Sequence, residues 1–544
     1  MKQTIILILI TFFKITVFSQ AIEEKKVDEL FKHWNLWTAP GCAIGVIKND
    51  KVVLTKCYGM ANLDNNIHID YNTKFSIGSL TKQFTAYCIA ILIYQDKLDL
   101  NDDIRKYLPD FPFLKDTLKI KHLIYHTNGL DDLSEMIKTS GYSYDDVINE
   151  QMIKEMIYSQ KDLRFKPGEK FEYSNSGYYL LTEIIEKVTK LKINEFARRF
   201  IFNPLGMNDT YFDSNPGKVS NNLSFSYSQN IFGEYQKHYL NTTPIGSGNV
   251  ISTLHDLLLW EQNFYNDKLY EGKLNNLILR RGILNKGDTL NYCFGLRIGK
   301  HKKYKSVIFH FGDFNSFISV IVKYPEKGLT VILLSNDELA RAYFDNYSMA
   351  DKVAEVFLDK DSNPKVPENR FKPIESEESI KKYIGNYKSK NGITAISYDE
   401  GNLKISHSWG NWYYSIFPES DSIFIDPRDF EYVHKFKIDE NKNVIGLWTT
   451  HTGYMEKVRI DSIYSLSDDY NGSYYSKELN SVYQLFLSNG KIYCKINNKA
   501  SDELIMTGKD MFRLKNNVIK AIHNDFGKFE RLVVNNRYSF IKFK

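Results

Sequence analysis

The sequence predicts an α/β domain, in which an antiparallel sheet is flanked by helices and joined to a mainly α subdomain, followed by C-terminal all-β domains. Strand patterns lie on both sides of a long helical region, at residues 41–62 and again from about residue 305. Beyond a charged, proline-containing stretch at 359–379, short β-rich segments follow with almost no helix. A chain of 544 residues is also too long for one hydrophobic core.

The first 19 residues have the pattern of a secretory signal peptide. Lys2 supplies the positive charge, Ile5 to Ile10 the apolar segment, and Ser19 a small residue suited to cleavage. Lys14 interrupts the apolar run, so we expect no transmembrane span after signal cleavage, with an uncleaved anchor as the alternative. The protein is therefore expected to be periplasmic or secreted.

Residues 22–358 are predicted to form the α/β domain. Helical periodicity runs from Ile22 to Trp37, and two strands at 41–62 meet at the turn Asn49-Asp50. The pattern is mainly helical from Ser76 to about residue 265, strands return near 305, and a helix spans roughly 338–358. The simplest assembly is one antiparallel sheet built from both ends, with terminal helices on one face and the helical insertion on the other.

The tail after the linker at 359–379 repeats itself. The segment 383–389, YIGNYKS, returns as YNGSYYS at 470–476, and each copy continues with a glycine-turn hairpin and an isolated phenylalanine, Phe424 or Phe512. This predicts two similar units, 380–463 and 464–544, each a small β-barrel or sandwich.

Composition excludes several classes of function. The net charge of +5 is small for this length and gives no reason to expect nucleic acid as a partner. The five cysteines are scattered, which predicts neither a disulfide framework nor a zinc site; Cys42 and Cys57 lie in neighbouring predicted strands and either pair or serve as small buried hydrophobes. The histidines show no ligand spacing, so we predict no metal and no cofactor.

Ser79 and Lys82 are a candidate nucleophile and base. The same spacing occurs at four other places, but those lie in the linker or the β tail, and only Ser79–Lys82 opens a long apolar helix. Residues three apart on a helix share a face, so Lys82 can reach the Ser79 hydroxyl, and partial burial would lower the pKa of the lysine. The alternative is an ordinary helix start with a solvated lysine.

Two further segments carry candidate site residues. Tyr173-Ser174-Asn175 lies between a turn and an amphipathic helix, where a phenol can relay a proton and an amide can bind a substrate carbonyl. His310-Phe311-Gly312 ends a strand, and its glycine allows close approach of a ligand or helix. The next backbone N–H, on Asp313, can pair with that of Ser79 as an oxyanion hole. The alternative for His310 is a core histidine.

These three segments together resemble the motifs of the β-lactamase-related serine hydrolases, which include class C β-lactamases, D,D-carboxypeptidases, D-aminopeptidases and esterases. The resemblance covers about residues 25–358 and implies a β-lactamase/transpeptidase-like fold. It implies that Ser79 is acylated, that Lys82 or Tyr173 is the first base, that Asn175, His310 and Gly312 contact the substrate, and that the N–H groups of Ser79 and Asp313 hold the oxyanion. Further segments are similar to the family as well: Pro40-Gly41, 58–62, 126–130, 167–170, 204–207 and 247–253.

One departure from the family pattern bears on the substrate. Class C β-lactamases have a lysine where this sequence has His310, and a largely neutral histidine holds a substrate carboxylate less well. An Asp313 carboxylate that pointed into the site would also disfavour anionic substrates. The resemblance therefore implies a small-molecule or peptide substrate, with a cell-wall peptide as one candidate, cleaved by a D-amino-acid peptidase or esterase-like activity. A slow penicillin-recognising sensor and a true β-lactamase are the alternatives.

Overall fold

The computed structural model describes residues 21–215, 219–242, 244–266, 268–344, 347–359, 361–365, 370–399, 401–408, 413–458, 468–508, 510–524 and 529–543. The predicted signal peptide, 1–19, lies outside these residues. Among the residues described, no helix is both long enough and apolar enough to cross a bilayer.

A six-stranded antiparallel sheet forms the centre of the first domain. Its strands are β1 (Cys42–Lys48), β2 (Lys51–Tyr58), β3 (Arg297–His301), β4 (Lys305–Phe314), β5 (Phe317–Tyr324) and β6 (Leu329–Ser335). Their order across the sheet is β3-β4-β5-β6-β1-β2, so strands from both ends of the domain meet where β1 pairs with β6. The hairpin turn between β1 and β2 places Asn49 and Asp50 at positive φ (48° and 67°), which these residue types tolerate. The sheet built from both ends is confirmed.

The described residues of the chain form the following α-helices. They are α1 (21–30), α2 (Thr81–Tyr94), α3 (Ile120–Ile124), α4 (Leu133–Thr139), α5 (Glu150–Tyr158), α6 (Asn175–Thr189), α7 (Ile193–Ala197), α8 (Asn203–Leu205), α9 (Leu254–Asn266), α10 (Asn275–Ile278), α11 (Ala340–Phe344), α12 (Ser348–Leu358) and α13 (Glu377–Ile380). Short strands within the insertion are Met60–Asn62, Ile67–His68, Lys74–Ser76, Tyr211–Phe212, Ser226–Gln229, Tyr235–His238 and Val250–Thr253.

Alternation along the strands separates two cores. On one face Ile44 and Val46 pack with Leu30 of α1 and Val353 of α12, whereas on the other Ala43 joins the core formed by the insertion. Because side chains alternate between faces, a strand covered on both sides reads as a continuous apolar run. The terminal helices therefore cover one face and the insertion the other, as predicted.

The tail forms two β units, one closed barrel and one nearly closed barrel. The strands of the first are Gly385–Ser389, Gly392–Asp399, Asn402–His407, Tyr413–Pro418, Ile423–Asp426, Asp429–Ile438, Val444–Thr449 and Gly453–Val458. The nine strands of the second are Gly472–Ser476, Ser481–Ser488, Lys491–Ile496, Ser501–Glu503, Ile505–Gly508, Met511–Leu514, Asn517–His523, Phe529–Val534 and Tyr538–Lys542.

The sequence repeat of the tail is also a structural repeat. The Tyr387 hydroxyl donates to the main-chain oxygen of Tyr383 at 2.5 Å, and the Tyr474 hydroxyl donates to that of Tyr470 at 2.8 Å. The earlier tyrosine of each pair packs on the isolated phenylalanine of its unit, with ring centroids 4.9 Å apart in both units. The repeated residues therefore build the same closing contact twice.

The second β unit docks on the insertion next to α4. Nε of Arg537 lies 3.0 Å from both carboxylate oxygens of the buried Asp131, and its Nη1 donates to Asp162 at 2.7 Å. The Tyr483 hydroxyl donates to the main-chain oxygen of Thr139 at the end of α4. These contacts join the end of the chain to the helix that follows Asp132.

Candidate active site

Ser79 lies in a single 3-10 turn, Gly78–Leu80, directly before α2. Gly78 has φ +48°, and a Cβ at this position would lie 2.6 Å from the backbone nitrogen of Asp313. Only glycine allows this approach, because any side chain would collide with that backbone. The glycine therefore brings the Ser79 turn against the end of β4.

Lys82 is buried and bonded to the predicted nucleophile. Its Nζ donates to Ser79 Oγ at 3.1 Å, to Asn175 Oδ1 at 2.8 Å and to the main-chain oxygen of Ser247 at 2.7 Å. Burial lowers the pKa of Lys82 to about 7; the Asp132 carboxylate opposes this shift and the Arg297 guanidinium adds to it. A lysine with such a pKa exchanges a proton with a serine hydroxyl near neutral pH.

Asn175 is the first residue of α6, and its amide is fully engaged within the protein. Oδ1 accepts from Lys82, while Nδ2 donates to Asp132 Oδ2 at 3.1 Å and to Ser134 Oγ at 3.0 Å. Its backbone N–H also donates to Asp132 at 2.7 Å. Asn175 therefore positions the Lys82 ammonium group. Its contact with a substrate amide stays a prediction.

Tyr173 lies over the lysine from the side of the second motif. Lys82 Nζ is 4.7 Å from the centroid of its ring, and the ring of His126 packs on it at 4.3 Å. Burial raises the pKa of Tyr173, an effect that the nearby Ser79 hydroxyl opposes. Among the described residues the buried Tyr173 hydroxyl has no hydrogen-bond partner, which leaves its proton available to a bound substrate.

The third motif forms the opposite wall. A Cβ on Gly312 would lie 2.0 Å from the main-chain oxygen of Ile77, so glycine is required where β4 meets the segment before Ser79. β3 runs beside β4 only from Lys305 to Phe309, which leaves the edge of β4 beyond Phe309 free of this neighbour. This arrangement puts the Asp313 backbone beside the Ser79 turn, where the sequence predicted an oxyanion hole.

The side chain of Asp313 does not remain a free anion. Its carboxylate forms an ion pair with the Arg341 guanidinium of α11. The Arg341 charge therefore offsets the Asp313 charge that was expected to disfavour anionic substrates. The backbone N–H of Asp313 still lies beside the Ser79 turn.

His310 is almost completely buried, with 2% of its surface exposed. Its Nδ1 lies 2.6 Å from the main-chain oxygen of Phe311, and its Nε2 lies 3.3 Å from the Tyr292 hydroxyl. Burial, with a further contribution from Lys82, lowers the pKa of His310 to about 3, so the ring is neutral at pH 7. Both ring nitrogens are engaged within the protein, and the predicted contact of His310 with substrate stays a prediction.

Sequence reasoning missed two charged residues of the site, Asp132 and Arg297. The Asp132 side chain caps α4 by accepting from the Ser134 N–H, and it also bonds Asn175. The Arg297 guanidinium carbon lies 5.8 Å from the ring centroids of Tyr173 and Tyr292. No motif marks Arg297, because only the register of β3 on β4 brings it to the site.

A cavity of about 870 Å³ adjoins the site where the three folded units meet. Its catalytic-domain wall includes Asp132 and Ser134, which bond Asn175, and Arg341, which pairs with Asp313. The first barrel contributes Tyr414, Tyr432, Arg428 and His451, and the second unit Asn516, Asn517 and Asn535. This volume lies within the usual range for binding pockets of small ligands.

The described part of the chain contains no cluster of three or more His, Cys, Asp or Glu side chains arranged to hold a metal. The five cysteines are all free, so Cys42 and Cys57 are unpaired in the two adjacent strands.

Comparison with known proteins identifies the family. The model of the Beta-lactamase family matches residues 33–354, which contain Ser79, Lys82, Tyr173 and His310. The chain belongs to the beta-lactamase family. Penicillin-binding protein 4* of Bacillus subtilis (strain 168) is 26% identical over 381 residues, covering 68% of this chain and 83% of that protein. Protein flp of Staphylococcus aureus (strain MRSA252) is 29% identical over 326 residues, covering 58% of this chain and 63% of that protein.

Solved structures share the fold of this beta-lactamase-family chain. The octameric penicillin-binding protein homologue from Pyrococcus abyssi has a TM-score of 0.54 at 20% identity, covering 96% of this chain and 99% of its own. The D-amino acid amidase from Ochrobactrum anthropi SV3 has a TM-score of 0.52 at 20% identity, covering 62% of this chain and 99% of its own. At these identities the likeness concerns the fold. Together with the family, these findings establish a serine hydrolase with a β-lactamase/transpeptidase-like domain.

Proposed function

We propose that this chain is a periplasmic or secreted hydrolase that cleaves peptides or esters containing D-amino acids through an acyl-enzyme on Ser79. The observation that carries the proposal is the hydrogen bond from the buried Lys82 to Ser79 Oγ, with the lysine pKa lowered to about 7. The names of similar proteins, a penicillin-binding protein and a D-amino acid amidase, support this substrate class.

In the proposed reaction, Ser79 Oγ attacks the carbonyl carbon of the substrate and its proton passes to Lys82 or Tyr173. The backbone N–H groups of Ser79 and Asp313 hold the resulting oxyanion. As the bond to the leaving group breaks, Tyr173 gives the leaving group a proton. If Lys82 was the first base, the proton that it took from Ser79 then passes to Tyr173 and restores the phenol. Water then attacks the acyl-enzyme and gives a proton to the same base, which returns it to Ser79 Oγ as the acid is released.

The cavity beside the site supports an extended substrate. It begins at Asp132 and Ser134, next to the network that holds Lys82, and continues along Tyr414 and Tyr432 of the first barrel. A substrate acylating Ser79 has room there for residues beyond the scissile bond. We expect peptides of several residues to be cleaved more efficiently than single amino-acid amides.

The test is a screen of matched D- and L-amino-acid peptides, amides, esters and β-lactams against the wild type and Ser79→Ala. The proposal expects hydrolysis of a D-residue peptide or ester that Ser79→Ala abolishes. Hydrolysis confined to L-residue substrates would reject the D-amino-acid assignment, and hydrolysis that persists in Ser79→Ala would reject the nucleophile.

Relatives named as penicillin-binding proteins favour a sensor with slow turnover as the second candidate. A fluorescent penicillin separates the candidates by the lifetime of the label. Loss within minutes, with release of the hydrolysed product, indicates an enzyme, whereas a label that persists for hours indicates a sensor.

A further inference from the structure

The turn between β4 and β5 follows directly on the third motif and has an unusual conformation. Phe314 pairs with Phe317, so the turn consists of Asn315 and Ser316, and both have positive φ (47° and 67°). Asparagine is common at the first position of such a turn, but the second position normally carries glycine. A serine there raises the energy of the turn, and such a conformation persists where surrounding contacts impose it. We therefore expect the turn to depend on contacts from outside the hairpin.

Three hydrogen bonds from outside the β4–β5 hairpin fix Asn315. Its side-chain amide donates to Asp145 Oδ1 at 3.0 Å and to the main-chain oxygen of Tyr239 at 2.8 Å. The Ser226 hydroxyl donates to the main-chain oxygen of Asn315 at 2.5 Å. The helical insertion thus holds the tip of a hairpin that belongs to the central sheet.

Asp145 connects this turn to a second hairpin of the insertion. Its Oδ2 lies 3.0 Å from His238 Nδ1, and its Oδ1 also accepts from the backbone N–H of Tyr239 at 3.1 Å. Burial disfavours the charged form of this carboxylate, but the hydrogen bonds from His238 and Asn315 outweigh it and lower the pKa of Asp145 to about 2. At neutral pH the Asp145 carboxylate is therefore ionised, and hydrogen bonds to an ionised acceptor are stronger than those between neutral groups.

The turn held by Asp145 is two residues from the predicted oxyanion hole. A Cβ on Gly78 would lie 2.6 Å from the backbone nitrogen of Asp313, so the nucleophile turn and the end of β4 are in close contact. Tyr144 packs on Phe314 with ring centroids 5.0 Å apart. Segment 144–145 therefore contacts both of the residues that follow Asp313. A shift of the turn would move the Asp313 N–H relative to the oxyanion.

We propose that Asp145 is a positioning residue of the oxyanion hole, which acts through the Asn315 turn to hold the Asp313 N–H in place. This inference rests on the proposed acylation of Ser79. A donor of an oxyanion hole is effective when it lies about 3 Å from the developing charge, and small displacements lower the rate strongly. Loss of the contact between Asp145 and Asn315 should therefore slow acylation more than it weakens substrate binding.

The test must separate a misplaced oxyanion donor from a general loss of reactivity. An ester that the wild type cleaves and the corresponding thionoester differ only in whether oxygen or sulfur becomes negative in the tetrahedral intermediate. Sulfur is the weaker hydrogen-bond acceptor, so the oxyanion hole favours the ester. The readout is the ratio of the two acylation rate constants on one variant. Partial unfolding or a change in the basicity of Lys82 lowers both rate constants and cancels in this ratio.

We expect the ester-to-thionoester ratio to fall about 10-fold or more in Asp145→Ala. Asp145→Asn should keep part of the preference, because its side-chain oxygen still accepts a hydrogen bond but carries no charge. Asp110→Ala, at an exposed aspartate of the same domain, is the matched control and should leave the ratio unchanged. An equal fall for both substrates in Asp145→Ala would overturn the inference.

A second variant removes the other partner of the same hydrogen bond. Asn315→Ala should lower the ratio to a similar degree, and it tests the contact even if Asp145→Ala does not fold. The double variant should lower the ratio no further, because both residues act through one contact. Losses that multiply in the double variant would mean that Asp145 does not act through Asn315.

A neutral fluorophosphonate tests the proposed function independently. If it labels the wild type but not Ser79→Ala, while Asp145→Ala keeps the wild-type ratio, the proposed function stands and the positioning inference fails. If it does not label Ser79 and the wild type cleaves no ester, both fail.

Discussion

Lys82 Nζ donates to Ser79 Oγ at 3.1 Å, and burial lowers the pKa of this lysine to about 7. If neutral Lys82 is the base, the acylation rate should rise about tenfold per pH unit below pH 7 and level off above it, as the lysine loses its proton. Single-turnover labelling from pH 5 to 9 measures this profile. Lys82→Met should lower the plateau of the acylation rate about 10²- to 10⁴-fold. Lys97→Met, at an exposed lysine, is the control. An acylation rate that did not depend on pH would argue against Lys82 as the base.

Tyr173→Phe should slow the cleavage of amides more than that of activated esters. The phenylalanine keeps the ring beside Lys82 and removes only the hydroxyl that has no partner in the described protein. An amine leaving group needs a proton, whereas a nitrophenolate does not, so we expect a loss of about 100-fold or more for amides and a smaller one for nitrophenyl esters. Steady-state rates on such a pair check this, with the half-exposed Tyr239→Phe as control. Equal losses would remove Tyr173 as the acid.

Asp132→Asn should move the rising limb of the pH profile to lower pH. The Asp132 carboxylate raises the pKa of Lys82, so its removal lowers that pKa further, while asparagine retains an oxygen for the Asn175 N–H. Arg297→Gln removes a charge that lowers the same pKa and should shift the limb to higher pH. The same labelling assay compares the two variants. If the rising limb moved in the same direction in both, the pH profile would not report the protonation of Lys82.

Arg537→Ala should destabilise the protein. Asp131 is completely buried and pairs with Arg537, so removal of the arginine leaves a buried carboxylate without its cation. Breaking such a pair costs about 3 kcal/mol of unfolding free energy. Chemical denaturation measures the loss, and a double variant with Asp131→Asn should lose less than the two single variants together. Additive losses would mean that the pair does not hold the second unit in place.

The sequence was sufficient to predict the main features of the fold. Strand patterns at 41–62 and after 305 predicted the shared sheet, because a strand buried on both faces reads as a continuous apolar run. The repeated tyrosines at 383, 387, 470 and 474 predicted two similar units, and both make the same hydrogen bond. What could not be predicted was which unit docks where, since the contact of Arg537 with Asp131 joins residues 406 positions apart.

The residues of the candidate site could also be predicted only in part from the sequence. Ser79, Lys82 and Tyr173 lie in short motifs whose local context marks them, and the structure brings them together. Asp132 and Arg297 do not lie in recognisable motifs. Asp132 acts through its hydrogen bond with the amide of Asn175, and Arg297 reaches the site only through the register of β3 on β4.

The pairing of β1 with β6 has a consequence for biogenesis. Cys42 lies opposite Ser335, so the central sheet cannot close until nearly 300 further residues have left the ribosome. Contacts between such distant segments are slow to form, because a long loop must close before they stabilise anything. The chain therefore stays without its central sheet until more than half of it has been synthesised.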